Sequence, residues 1–253
     1  MRKILKISWH ILRSIIILIL LSYTTCVIVE HVAKDVLVNN FISKGVYQEE
    51  LSTSNIKYYK IAYDGEKSMY YEESTHDCYP GGKGDILVSP DQLTIAPIVN
   101  EIVSFYAGGH AGYSIGNYED YEVQSDDYNT LEITQTLEVH NARLYHKKDW
   151  ASNEYFNVVI GLRVDMTQEE YEKVTSVILS YYDDPYNSSF LFNTTNSKYC
   201  TDIMSQAFSY IGKNLNRDSF STSVYDLIVS PDTYISYYHY YDGNGVKHVY
   251  YLG

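Results

Sequence analysis

A cysteine stands where the chain is expected to begin a helix. The segment SKYCTDIMSQAFSYIG, residues 197–212, has apolar residues spaced by three and four positions. Cys200 lies one turn before this apolar stripe, so its thiol is expected at the helix N-terminus, where unpaired backbone NH groups and the helix dipole favour a thiolate. The same NH groups can bind a developing oxyanion. Cys200 is therefore a candidate nucleophile, and the competing interpretation is a small buried hydrophobic residue.

A cysteine nucleophile needs a base, and His110 in AGGHAGYSIG is the best candidate. The neighbouring glycines permit a close approach, and the histidine opens an expected strand. The competing interpretation is a hydrogen-bonded structural histidine. The imidazole would be oriented by a polar group on a neighbouring strand, and the candidates are Glu132 in TLEIT and Glu138 or His140 in TLEVH.

The remaining histidines and cysteines do not have the spacing of a metal site. His76 and Cys78 are two positions apart and lack a second pair, while His239 and His248 flank a DGNG turn in a tyrosine-rich hairpin. We interpret them as exposed polar residues. No metal and no other cofactor is predicted.

Strands and helices that would position the candidate residues follow from the hydrophobic pattern. A Pro-Gly-Gly turn ends at residue 82, and DILVS and then the helix APIVNEIVSFY follow. From Gly108 the pattern alternates as in strands, and FNVVIGLRV, residues 156–164, is the most apolar strand outside the leader, so it is expected to be central in a sheet.

The most secure helix prediction is MTQEEYEKVTSVILSYY. Thr167 and Glu170 have the spacing of a capping box, and Met166 can pack on Tyr171 as a hydrophobic staple. The residues expected on its buried face are Val174, Val177, Ile178 and Tyr181.

The first 30 residues predict a membrane anchor. The run from Ile15 to Val29 is uncharged. Together with the preceding residues back to Ile11, the segment reaches roughly the 20 residues of a membrane span. Four basic residues precede or lie within its start, so the N-terminus is expected in the cytoplasm and the rest outside it, on what we interpret as a bacterial cell surface. A cleaved signal peptide is the main alternative, but no small-x-small cleavage site follows the run.

Charge and cysteine content limit the partners. The part after Val29 carries 15 lysines and arginines against 32 acidic residues, a net charge near −17, so we predict no nucleic-acid partner. Cys78 and Cys200 are the two cysteines outside the anchor, too few for a disulfide framework, although a bond between them would inactivate a Cys200 nucleophile.

Five motifs follow one another along the chain: GDILVSP (84–90), GGHAGYSIG (108–116), TLEIT (130–134), VIGLRV (159–164) and YCTDIMSQAF (199–208). In this order they resemble the circularly permuted branch of NlpC-type papain-like cysteine hydrolases, which includes YiiX-like and lecithin retinol acyltransferase-like proteins. The segment VYDLIVSPDTY, 224–234, also resembles the one that follows the cysteine helix in that branch.

This resemblance implies an α+β papain-like fold, with an antiparallel, partly barrel-like sheet and the cysteine helix packed across it. It implies Cys200 as nucleophile, His110 as general base and Glu132 as the third polar residue, with Glu138 as the alternative. The expected organisation is an anchor at 1–30, a stalk at 31–80 and a hydrolase domain at 81–253.

The expected function is a membrane-anchored cysteine hydrolase that cleaves an amide or ester bond in cell-envelope material, either peptidoglycan peptide or acylated lipid. Two alternatives remain open. One is acyl transfer from the same thioacyl intermediate to lipid substrates, and the other is an inactive envelope-binding module whose many tyrosines contact a glycan or lipid headgroup.

Overall fold

A computed structural model of the chain describes residues 2–63, 65, 83–90, 97–115, 130–133, 142–145, 150, 156–187, 197–218 and 220–253. Within these ranges the helices are α1 (Arg2–Ile42), α2 (Pro97–Ala107), α3 (Gln168–Ser180), α4 (Cys200–Ser209) and α5 (Val224–Val229). The strands are β1 (Val46–Tyr47), β2 (Ile56–Ile61), β3 (Ile86–Ser89), β4 (His110–Ser114), β5 (Thr130–Ile133), β6 (Ala142–Tyr145), β7 (Val158–Arg163), β8 (Tyr234–Tyr241) and β9 (Lys247–Leu252).

The described strands form one sheet in the order β1-β2-β9-β8-β7-β3-β4-β5-β6. Its neighbours pair antiparallel except β2 and β9, which pair parallel. The expected central strand β7 lies in the middle of this order, so that prediction is confirmed. The expected barrel-like closure is wrong, because β1 and β6 form two open edges in the described sheet. The fold is mixed α+β.

Buried clusters lie on both faces of the sheet. Alternate residues of each strand point to opposite faces, and on β3 this sends Val88 to the core that contains α3, α4 and α5, which we call the main core. Leu87 instead joins Trp150 and Val159 in a smaller cluster, which we call the second core. The helices therefore cover the main-core face.

Helix α3 begins as the sequence predicts. Thr167 caps it and exchanges hydrogen bonds with Glu170, which completes the capping box, a feature worth about 1 kcal/mol. The predicted apolar face is also confirmed, since Val174 and Ile178 are buried in the main core. Buried Tyr171 donates a hydrogen bond to the Ile115 carbonyl at 2.9 Å, which ties the helix to the end of β4.

Helix α1 is longer than the predicted anchor. It continues without a break to Ile42, and Ser8–Ile42 has a mean hydropathy of 2.2 in its most apolar window, long and apolar enough to cross a membrane. Part of the predicted stalk at 31–80 also belongs to the sheet, because β2 pairs with β9 over six residue pairs. The boundary predicted at residue 80 therefore separates β2 from the sheet that holds it.

Candidate functional site

Cys200 is the first residue of α4 and a free thiol with 8% of its surface exposed. The preceding residue, Tyr199, is extended and gives the helix no side-chain cap. The first hydrogen bond within the helix runs from the Ile203 NH to the Tyr199 carbonyl at 3.2 Å. The NH groups of the first turn therefore have no acceptor within the helix, which is the arrangement that attracts negative charge.

Two hydrogen bonds fix the start of α4 against the segment before α5. The Tyr199 hydroxyl accepts from the Thr222 NH at 3.0 Å, and the Thr201 hydroxyl donates to the Thr222 carbonyl at 2.7 Å. Burial, followed by the negative charge of Asp202, raises the pKa of Tyr199, so it is a neutral phenol at physiological pH. Cys200 is held between two anchored neighbours.

A second segment lies against the same helix start. Tyr186 forms a parallel bridge with Lys198, and the Asn187 NH donates to the Lys198 carbonyl at 2.7 Å. Burial raises the pKa of the Tyr186 phenol, and a negative charge on Cys200 raises it further. Tyr186 therefore presents a neutral hydroxyl group in the neighbourhood of the thiol.

Two buried charged residues flank Cys200 in sequence. Lys198 is 2% exposed, and its Nζ lies 5.0 Å from the centre of the Tyr181 ring. Asp202 is fully buried; its Oδ1 accepts from the Gln206 side-chain amide at 2.7 Å, while its Oδ2 has no hydrogen-bond partner. Burial raises the pKa of Asp202 to about 6, although the Gln206 hydrogen bond and the Lys198 charge act to lower it. Asp202 thus changes charge close to neutral pH.

His110 lies at the start of β4, and its described ring contacts are on the second-core side. The imidazole is stacked on Trp150 at 5.6 Å between ring centroids and on Phe156 at 6.1 Å, with planes within 10° of parallel. The next residue, Ala111, faces the main core with α4. Strand alternation accounts for this difference.

The described contacts of Cys200 and His110 are therefore with different groups. Cys200 belongs to the main core, and His110 stacks on a ring of the second core. Gly108 precedes the start of β4 with φ of 77°, and a Cβ there would lie 2.5 Å from Val224, so the glycine permits a close approach to α5. The Cys200–His110 pair stays a prediction.

The third residue is located by the backbone alone. Glu132 lies on β5 opposite Gly112. Because Gly112 is two positions from His110 on β4, this register puts Glu132 and His110 on the same face of the sheet. Glu138 and His140 lie outside the described residues, so the choice between Glu132 and Glu138 stays open.

The aspartate of the GDI motif has a structural position. Asp85 is fully buried; its Oδ1 accepts from Arg163 Nε at 2.7 Å and its Oδ2 from Arg163 Nη2 at 2.8 Å. The Ser236 hydroxyl donates to the same Oδ2 at 2.8 Å. The motif thus links the start of β3 to β7 and β8.

Among the described residues, one group of three carboxylates could hold a metal ion, because their ligand atoms lie within 4.8 Å of one another: Glu30 on α1, Asp218 and Asp226. Asp226 Oδ2 already accepts from the Ser223 NH and hydroxyl as the capping box of α5, which gives this carboxylate a structural role. We therefore assign no metal to the group.

His239 and His248 of the hairpin were both expected to be exposed, and this prediction is wrong for His239. His239 is fully buried and shares a hydrogen bond with the Tyr237 hydroxyl at 3.1 Å, and His248 lies 3.4 Å from the Asp242 carboxylate. His76 and Cys78 lie outside the described parts of the chain.

Sequence reasoning missed three residues around Cys200, namely Tyr186, Lys198 and Asp202. The hydrogen bond of Asp202 could have been predicted, because this residue lies in the first turn of α4 and Gln206 follows four positions later, a spacing that permits a side-chain hydrogen bond. Burial of a lysine and an aspartate carried no comparable signal, since such residues are usually exposed.

Comparisons with known proteins add one structural likeness. No family model matches the chain, and no curated protein matches it. A crystal structure described as metalloprotein yiiX from Escherichia coli O157:H7, DUF1105, is similar at 16% identity and a TM-score of 0.40, over 62% of this chain and 89% of that one.

Proposed function

We propose that the chain is an exported, membrane-anchored cysteine hydrolase that cleaves an amide or ester bond in cell-envelope material, peptidoglycan peptide or acylated lipid. The observation that supports this most strongly is the free thiol of Cys200 at the uncapped N-terminus of α4. Amide NH groups in the first turn stabilise a thiolate before the reaction and an oxyanion during it. The motif order from Asp85 through His110 to Cys200 supports a permuted papain-like arrangement.

In this mechanism His110 takes the proton from Cys200, and the thiolate attacks the carbonyl carbon of the substrate. The Cys200 NH donates to the resulting oxyanion, and collapse of the tetrahedral intermediate expels an amine or alcohol, which receives the proton from His110. Water, deprotonated by His110, then attacks the thioester and releases the acid. Glu132 fixes the imidazole tautomer.

Acyl transfer is favoured over hydrolysis by one observation, the low exposure of Cys200. A cysteine residue that is 8% exposed would carry a thioester that water reaches poorly. An alcohol or amine bound beside it would then accept the acyl group in place of water.

A binding module is favoured by another observation, the stacking of His110 on Trp150. Packing on Trp150 gives the imidazole a structural role in the second core. The fold would then present a surface to the envelope without performing chemistry.

The test is alkylation of the full-length protein in detergent with iodoacetamide from pH 4 to 9, with modification of each cysteine followed by peptide mass spectrometry. We expect Cys200 to be modified rapidly at pH 6, where an ordinary thiol is almost entirely protonated and reacts slowly. His110→Ala should slow this modification, whereas the matched control His248→Ala, on the β8–β9 hairpin, should leave its rate unchanged. An ordinary thiol, or one indifferent to His110→Ala, would contradict the hydrolase and favour the binding module.

A further inference from the structure

Helix α1 is docked on the domain over its second half. The Tyr23 hydroxyl donates to the Tyr106 carbonyl at 3.4 Å, and the Thr24 and Tyr106 hydroxyls share a hydrogen bond at 3.1 Å. Two turns later the His31 imidazole is bonded to the Phe105 carbonyl at 2.9 Å and lies 4.0 Å from the Tyr225 ring. These contacts, together with buried Val27, make α1 a fixed part of the domain from Tyr23 onward.

The uncharged part of α1 that precedes the docked part is too short to cross a bilayer alone. From Ser14, which follows Arg13, to Ser22 all residues are exposed, and this stretch is about 13 Å long at 1.5 Å per residue. The hydrocarbon core of a bilayer is about 30 Å thick. The uncharged run continues to Val29. If this run crosses the bilayer, it brings Tyr23–Val29, and the domain surface docked on that part of α1, to the edge of the hydrocarbon.

The residues at this level have the chemistry of a membrane interface. Tyr23 lies 5.4 Å from Tyr106 and 4.9 Å from Phe220 between ring centroids, a cluster that we call the junction ring. Tyrosines with an apolar body and a polar tip are enriched at the boundary between lipid tails and headgroups. On the undocked side of α1, Ile28 and Val29 are 50% and 61% exposed, and these apolar side chains continue the surface of the span.

We propose that the domain sits directly on the bilayer, with the junction ring at the boundary between hydrocarbon and headgroups and with Ile28 and Val29, farther along α1, among the lipid headgroups. The partner is the lipid bilayer itself, because this surface is continuous with the membrane-spanning part of α1. The contact does not depend on the proposed chemistry of Cys200.

This seating also determines where the candidate site lies. Thr222, which is bonded to Tyr199 and Thr201, is two residues from Phe220 of the junction ring. Gly108, which precedes His110, follows Tyr106 by two residues and contacts Val224. The ends of α4 and β4 that carry the candidate residues therefore adjoin the bilayer-facing part of the domain.

The test uses the full-length protein in vesicles of phosphatidylcholine, with and without brominated acyl chains that quench tryptophan fluorescence on contact. A zwitterionic lipid avoids repulsion of the acidic domain. The probe is Phe220→Trp, and the matched control is Val46→Trp on β1, which is 65% exposed and lies beyond the far end of α1. Both are made with Trp9→Phe, so that buried Trp150 is the remaining native tryptophan.

We expect the brominated lipid to remove at least about half of the Phe220→Trp emission and little of the Val46→Trp emission. In the wild type, quenching of Trp9 reports that α1 is inserted. If Trp9 is quenched but Phe220→Trp behaves like Val46→Trp, the domain stands away from the bilayer and the proposal is overturned. If Trp9 is not quenched, α1 does not insert and the proposal also fails. Alkylation of Cys200 is independent of either result.

Discussion

Two fully buried aspartates, Asp85 and Asp202, are treated differently by the fold. Asp85 accepts three hydrogen bonds, two from Arg163 and one from Ser236, and both of its oxygens are paired. Asp202 accepts one from Gln206, and its Oδ2 has no hydrogen-bond partner. A buried carboxylate is costly unless it is fully paired. The comparison separates a carboxylate that stabilises the sheet from one that costs stability beside the candidate nucleophile.

The largest expected effect comes from breaking the satisfied group. Arg163→Met leaves the Asp85 carboxylate buried without its cation, which should lower the free energy of unfolding by about 3–5 kcal/mol. Urea unfolding in detergent, followed by circular dichroism, measures this loss.

The matched control breaks an exposed ion pair. Asp35→Asn removes the partner of Lys34, at 2.9 Å and with the Asp35 side chain 67% exposed, and should change stability by less than about 0.5 kcal/mol. A loss of less than about 1 kcal/mol for Arg163→Met would show that Asp85 does not depend on its pairing.

The second effect has the opposite sign. The folded pKa of Asp202 is about 6 against an ordinary 3.8, so the folded state binds its proton more tightly than the unfolded chain. Stability is therefore lost as pH rises from about 4 through 6, and Asp202→Asn should recover roughly 1–3 kcal/mol at pH 8 and almost nothing at pH 4.

A residual pH dependence should remain in Asp202→Asn. Burial also raises the pKa of Asp226 to about 6, so this residue loses stability over the same pH range. Melting temperatures of wild type and Asp202→Asn between pH 4 and 8 test both statements. Parallel curves for the two proteins would contradict the assignment to Asp202.

The smallest effect comes from removing one of the three donors to Asp85. Ser236→Ala should cost about 1 kcal/mol, because Oδ2 keeps its bond from Arg163. The comparison is with Ser43→Ala, whose hydroxyl donates to the Asn40 carbonyl on an exposed surface and should matter by less than about 0.5 kcal/mol. Equal unfolding midpoints for the two variants would remove Ser236 from the network.

Local patterns predicted the local structure well. The capping box of α3, the apolar stripe of α4 and the central strand at FNVVIGLRV all depend on residues within one turn or one strand. Cys200 was placed at a helix start for the same reason. Its deeper surroundings depend on burial, which a periodic pattern does not specify for a lysine or an aspartate.

Contacts between residues far apart in the chain could not be predicted from the sequence. Asp85 and Arg163 are 78 positions apart, and no spacing rule connects them. The sequence also did not indicate that β2 pairs with β9. This pairing makes part of the predicted stalk a strand of the sheet. His110 illustrates the limit at the site, since the strand was predicted but the stacking of its ring on Trp150 depends on a residue 40 positions away.

The parallel pairing of β2 with β9 has a consequence for biogenesis. Strand β9 lies between β2 and β8, and the Gly253 NH that follows it donates to the Ile61 carbonyl at 3.0 Å. A chain that emerges from its N-terminus presents β2 long before residues 247–252 exist. During that interval β2 lacks the strand on which it aligns, and an unpaired strand edge is a template for pairing with other chains. The edge of β2 must therefore be kept from pairing with other chains until β9 has been synthesised.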